Sequence, residues 1–81
     1  MVRLPRDLSG RDLARILESH GYSITRQTGS HLRLTTLRQG EHHITIPAHA
    51  QLRVGTLAAI LGEVARHAGL ERSELAERLF G

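Results

Sequence analysis

Apolar and polar positions alternate with two different periods along this 81-residue chain. From Ser9 to His20 the apolar residues Leu13, Ile16 and Leu17 recur at helical spacing, which predicts an amphipathic helix. Ser9 is a good N-cap with Asp12 three residues on, a variant of the capping box, and Leu8 and Leu13 are placed as a hydrophobic staple. Gly21 stands where a left-handed residue would close the helix, and Tyr22 follows in position to contact Leu17. Residues 1–7, which include Pro5, read as an extended lead-in.

From Tyr22 the period drops to two, and three short strands are expected, at about 22–27, 31–36 and 42–47. Tyr22 and Ile24, Leu32 and Leu34, and Ile44 and Ile46 would face a core. His31, Arg33, Thr35, His43 and Thr45 would share the opposite, wet face. Thr28-Gly29-Ser30 makes the first turn and the region around Gly40 the second. A turn centred on Gln39 pairs Leu34 with Ile44, Arg33 with Thr45 and His31 with Pro47. A one-residue slip would break this parity; a two-residue slip would keep it.

Residues 48–55 read as a loop carrying His49 and Arg53, and a second helix is expected to begin near Thr56 as its N-cap. Leu57, Ile60, Leu61, Val64 and Ala68 give it an apolar stripe, Gly62 is a weak point, and Gly69 stops it. A third, short helix carries Leu75, Leu79 and Phe80. Glu71, a poor cap, predicts a frayed start for it. The order α-β-β-β-α with an added C-terminal helix predicts one domain over residues 1–81. That domain is a two-layer α+β sandwich with a three-stranded antiparallel sheet and its helices on one face.

Composition narrows the chemistry. The chain has no cysteine, which excludes disulfides, thiolate catalysis and Cys-type zinc sites. No apolar run suits a membrane span and no secretory pattern opens the chain, so a cytoplasmic protein without a membrane partner is expected. All 11 Lys+Arg positions are arginine, and the formal net charge is +3. Eight of the arginines precede residue 61, against four acids, so the basic excess lies toward the sheet and favours a polyanion. On charge alone, an arginine excess that serves only solubility stays open.

His31 and Arg33 are the candidate chemistry. An imidazole on an open face can take a proton from an RNA 2′-hydroxyl or give one to a leaving 5′-oxygen, while Arg33 and Arg26 hold the phosphate. Ser30 shapes the turn and can offer a hydrogen bond. His49 can position substrate from the same edge, and Arg53 adds a cation in the loop before helix two. The plain alternative for His31 is a surface histidine at a strand start. His42 and His43 point to opposite faces and cannot easily share an ion, so no metal is expected. His20 reads as a helix-terminal residue facing the dipole, and His67 as solvated on the exposed side of helix two. Gly55-Thr56 would cap a helix or meet a phosphate, without a Walker-type loop. Tyr22 and Phe80 are the only aromatics, which disfavours single-strand binding by base stacking.

Several segments together resemble the HicA toxin family, small mRNA interferases of bacterial and archaeal toxin–antitoxin pairs. They are Leu8-Ser9-Gly10-Arg11-Asp12-Leu13, His20-Gly21-Tyr22, the run Arg26 to His31, Ile46-Pro47-Ala48-His49, Gly55 to Leu61, and Ala68-Gly69-Leu70 with Glu74-Leu75. The resemblance spans about Leu4 to Leu79. It implies a fold like the double-stranded-RNA-binding domain, cleavage of single-stranded mRNA without metal or other cofactor, and His31 of the Gly-Ser-His motif as the catalytic histidine. It also implies a HicB-type antitoxin that covers this surface. The sequence departs from the family at Ala58, where a cation is common. Two other readings stay open: a non-catalytic RNA-binding module, and a decayed toxin that acts only as an antitoxin partner.

Overall fold

Ser9 starts the first helix as its residue type suggests: its backbone is extended and its Oγ accepts from the Asp12 N–H at 3.0 Å. The computed structural model describes residues 4–81, so part of the expected lead-in, residues 1–3, lies outside the described residues. The elements are α1 (Gly10–Glu18), β1 (Ser23–Gln27), β2 (His31–Thr36), β3 (His42–Pro47), α2 (Val54–Ala68) and α3 (Arg72–Phe80). The strands form one antiparallel sheet in the order β1-β2-β3. This is the expected α+β arrangement.

Helix α1 closes in a Schellman motif. The Tyr22 N–H donates to the Leu17 carbonyl at 3.1 Å and Gly21 has φ +102, a backbone that costs other residues strain. The same 6→1 bond, Leu70 N–H to Ala65 O at 2.9 Å, closes α2 at Gly69. The β2–β3 register is the expected one, with His31 opposite Pro47, Arg33 opposite Thr45 and Leu34 opposite Ile44. Leu32, Leu34, Ile44 and Ile46 are buried with Leu13 and Leu17 of α1 and Leu57 and Leu61 of α2, so all this packing lies on one side of the sheet.

Several expectations need correction. Helix α2 begins at Val54 with Arg53 at the N-cap, not at Thr56. Leu52, buried and bonded through its N–H to Leu8 O at 2.8 Å, pins the chain just before, and the Leu57 N–H closes the first turn on Arg53 O. Ile24 faces the helix side opposite Leu34 but stays 37% exposed, because β1 is an edge strand, exposed along its whole length. Tyr22 is buried but lies just ahead of β1. The start of α3 has a capping-box arrangement, in which the Glu71 N–H donates to Glu74 Oε1 at 3.3 Å.

His67 is also not a solvated helix residue. It is half-buried, its Nε2 donates to the Arg38 and Gly40 carbonyls at 2.9 and 3.1 Å, and its ring stacks on His42 at 4.5 Å. His42 Nδ1 in turn accepts from the Tyr22 hydroxyl at 2.9 Å. This cluster ties the β2–β3 turn to α2. Burial pushes the Tyr22 phenol up, with Glu63 adding, so it remains a neutral donor. Burial first, then His67, holds the His42 imidazole below the ordinary histidine value, although Glu63 pulls the other way.

A Cβ on Gly10 would lie 1.9 Å from the Pro47 carbonyl oxygen, so only glycine lets α1 approach the end of β3 this closely. Gly10→Ala is expected to cost about 2–3 kcal/mol in denaturant unfolding, an overpacking penalty against unyielding backbone. The lowered His42 value sets a pH dependence. Between the folded value and the ordinary 6.5 or so, the unfolded chain binds more protons, so stability is complete above that window and falls as the pH drops through it. Unfolding curves from about pH 7.5 to 5 should show the native chain losing stability relative to His42→Phe, which keeps a ring on His67 and cannot titrate.

Candidate functional site

The β1–β2 turn is built around one hydroxyl. Thr28 Oγ1 accepts the N–H of His31 at 3.0 Å and of Ser30 at 3.3 Å, while the Thr28 N–H donates to His31 O at 2.9 Å. This fixes where β2 begins. Because Leu32 and Leu34 are fully buried on the helix side, His31 and Arg33 must point to the other. His31 is exposed, and its Nδ1 meets Ser30 Oγ at 3.0 Å. Among the described residues nothing bonds its Nε2, which is free for chemistry in solvent. Gly29 has ordinary φ and open space around it, so neither strain nor packing requires a glycine there.

Arg26 and Arg33 are Cα partners across β1 and β2. A bulge between Ile24 and Arg26 shifts the register so that the two arginines stand opposite each other. Arg33 is on the outer face, so Arg26 is too. Like charges directly opposite on a sheet repel. The ion pairs among the described residues are Asp12–Arg15 and Glu41–His43, so no carboxylate neutralises this pair. Two arginines at facing positions on the face that carries His31 are residues able to bind an anionic oxygen.

The far end of the same face differs. His43 Nδ1 meets Thr35 Oγ1 at 2.7 Å, its Nε2 meets Glu41 Oε2 at 2.6 Å, and Thr35 Oγ1 meets Thr25 Oγ1 at 3.0 Å. This hydrogen-bonded chain puts the face's carboxylate away from His31 and leaves its positive charge near the turn. Alternation had placed Thr35 and His43 outward; the bulge that brings Thr25 to them has no mark in the sequence.

The remaining candidates separate. Ala48 donates its N–H to Ser30 O at 2.9 Å, which stitches the loop after β3 to the His31 turn. His49, next along, is exposed, and its backbone carbonyl accepts from Gly10 N–H at 3.0 Å. His49 therefore lies near the same edge as His31, as the register implies. Arg53 does not join the sheet face: it lines a shallow cavity of about 500 Å³ with Arg6, Gln51 and Val54 at the start of α2. One cation near the turn escaped the sequence reading. With the Gln27 amide turned so that its oxygen faces Arg11, that oxygen accepts from both guanidinium nitrogens, at 2.9 and 3.2 Å. No linear signal links Arg11 on α1 to the last residue of β1. The described residues contain no group of three or more His, Asp and Glu side chains that could hold a metal ion.

The fold and this open face define a small α+β protein with an exposed histidine beside a cationic sheet surface. A family model described as the HicA toxin of bacterial toxin–antitoxin systems matches residues 10–70, so the chain belongs to the HicA toxin family. Membership makes it the toxin of a toxin–antitoxin pair and implies an antitoxin protein as its partner. Neither the curated proteins nor the solved structures gave a match.

The facing arginines carry a stability cost that can be measured without any substrate. Arg26→Gln should raise stability by about 0.2–1 kcal/mol at low salt, and the gain should shrink as salt screens the pair. Chemical denaturation with urea, which is uncharged, at two ionic strengths reads this directly.

Proposed function

We propose that the chain is an endoribonuclease that cleaves single-stranded mRNA, with His31 as general acid or base and no metal ion required. The observation that carries this reading is His31 itself: exposed at the start of β2, with Nδ1 against Ser30, Nε2 open, and the Arg26–Arg33 pair on the same face. In the reaction the 2′-oxygen attacks the adjacent phosphorus, the bond to the 5′-oxygen breaks, and a 2′,3′-cyclic phosphate and a 5′-hydroxyl result. The 2′-hydroxyl loses a proton and the 5′-oxygen gains one, and His31 Nε2 serves one of these transfers. Arg33 and Arg26 hold the phosphate oxygens and stabilise the added negative charge.

Ser30 orients the imidazole. Open space at Gly29 lets the RNA backbone approach the turn closely. His49 and Arg11 flank this end, and Arg53 extends the positive surface beyond it. The partner is a HicB-type antitoxin that covers the His31 face, and the chain acts in the cytoplasm, where its substrate is.

The test is cleavage of a labelled single-stranded RNA with EDTA present. His31→Ala should lower the rate by about 100-fold or more while changing stability by no more than ~0.5 kcal/mol. Equal cleavage by both proteins would remove His31 from the reaction. RNA binding with no cleavage by either would make the chain a binding module.

A further inference from the structure

A second surface lies at the other end of β2, on the helix side of the sheet. His31 and Thr36 open and close that strand, five residues or about 16 Å apart. Beyond Thr36 is a cavity of about 300 Å³ between the sheet, α2 and α3. Its floor is aliphatic, made by Val64, Leu70 and Leu75 with the body of Tyr22. Thr36 lines it at 3% exposure; its Oγ1 accepts from the Arg38 N–H at 3.2 Å, and among the described residues its hydroxyl proton has no acceptor.

The rim is cationic. Arg38, Arg78 and His20 line it and no carboxylate does. Neither arginine takes part in the ion pairs among the described residues. Arg38 is held in place: a Cβ on Gly21 would fall 2.7 Å from its Cδ and Nε, so the side chain lies flat over that glycine. Leu37, between two lining residues, is 75% exposed, more than Ile24 or Val54. An apolar pocket beside an exposed leucine and two free arginines has the make-up of a protein-binding hot spot. A protein segment suits it better than nucleic acid, because Val64, Leu70 and Leu75 make a floor that takes an aliphatic side chain.

We propose that this cavity anchors the antitoxin partner through a segment that places an aliphatic side chain in the pocket and carboxylates on Arg38 and Arg78. The anchor is remote from His31 and does not depend on the ribonuclease reading. Leu75 and Arg78 belong to α3, beyond residues 10–70 that the family model matches, so the pocket is partly built from chain outside that match. It suits recognition of this toxin's own partner.

The probes are two capped peptides, acetyl-Asp-Leu-Glu-Leu-Asp-amide and its counterpart with lysine at the three acidic positions, titrated into the ¹⁵N-labelled full chain to millimolar concentration. The acidic peptide is expected to shift the amides of Thr36 to Gln39 and Leu70 to Arg78 saturably, and the basic one to leave them unmoved. Arg78→Glu, at an exposed helix position, should weaken the acidic peptide at least about tenfold, and Arg38→Glu with Arg78→Glu should abolish binding. Three results would overturn the proposal: no saturable shift with the acidic peptide, shifts centred on the His31 face, or unchanged affinity in Arg78→Glu. A single-stranded RNA that moves these same amides in place of the acidic peptide would assign the cavity to nucleic acid and overturn it too. The readout is independent of cleavage, so failure here leaves the His31 reading intact and the reverse also holds.

Discussion

Everything at the His31 end rests on the pairing of β2 with β3. Leu32 and Leu34 meet Ile46 and Ile44 in a layer that α1 and α2 close. With a side-chain period of two, burying these four residues forces His31, Arg33, Thr35, His43 and Thr45 outward. A one-residue slip would drive an imidazole and a guanidinium into the core, at a cost no small domain could offset. The apolar core thus holds the chemistry in place without any contact between the two.

The position of that chemistry on an open surface follows from size. A chain of 81 residues has one core layer and no depth for an enclosed site. Precision has to come from the backbone at one end of the sheet. Three backbone bonds supply it, from Ala48 to Ser30, Gly10 to His49 and Leu52 to Leu8. The Gly10 to His49 bond needs a glycine there, because a Cβ would strike the Pro47 carbonyl. The charge arrangement has a matching logic: Arg26 and Arg33 are left facing each other, a small instability that a bound anion would relieve, while Glu41 is kept with His43 at the far end.

Much of this was legible in the chain, wherever a local rule and the global packing agree. Alternation of leucine with His31 and Arg33 located β2, and its pairing with Ile44 and Ile46 gave the register of β3. Ser9 and Gly21 marked both ends of α1. What stayed hidden needed tertiary information. Thr56 looked like a cap, but the burial of Leu52 sets where α2 enters. Glu71 looked weak by residue type, yet Glu74 completes its box. His67 had a signal that went unused: it lies three residues after Val64 and seven after Ile60, on the apolar stripe rather than the wet side. The Thr25 bulge and the reach of Arg11 to Gln27 have no linear signature.

The proposed function requires RNA phosphate to meet the turn end of the outer sheet face. The most direct measurement is a ¹⁵N amide titration of the full chain with a short single-stranded RNA carrying 2′-O-methyl groups, which binds and cannot be cleaved. Shifts are expected to concentrate at Arg26 to Arg33 and at Ala48 and His49, weakening steeply with salt as phosphate contacts do. Shifts spread over α2 and α3, with those residues silent, would contradict it.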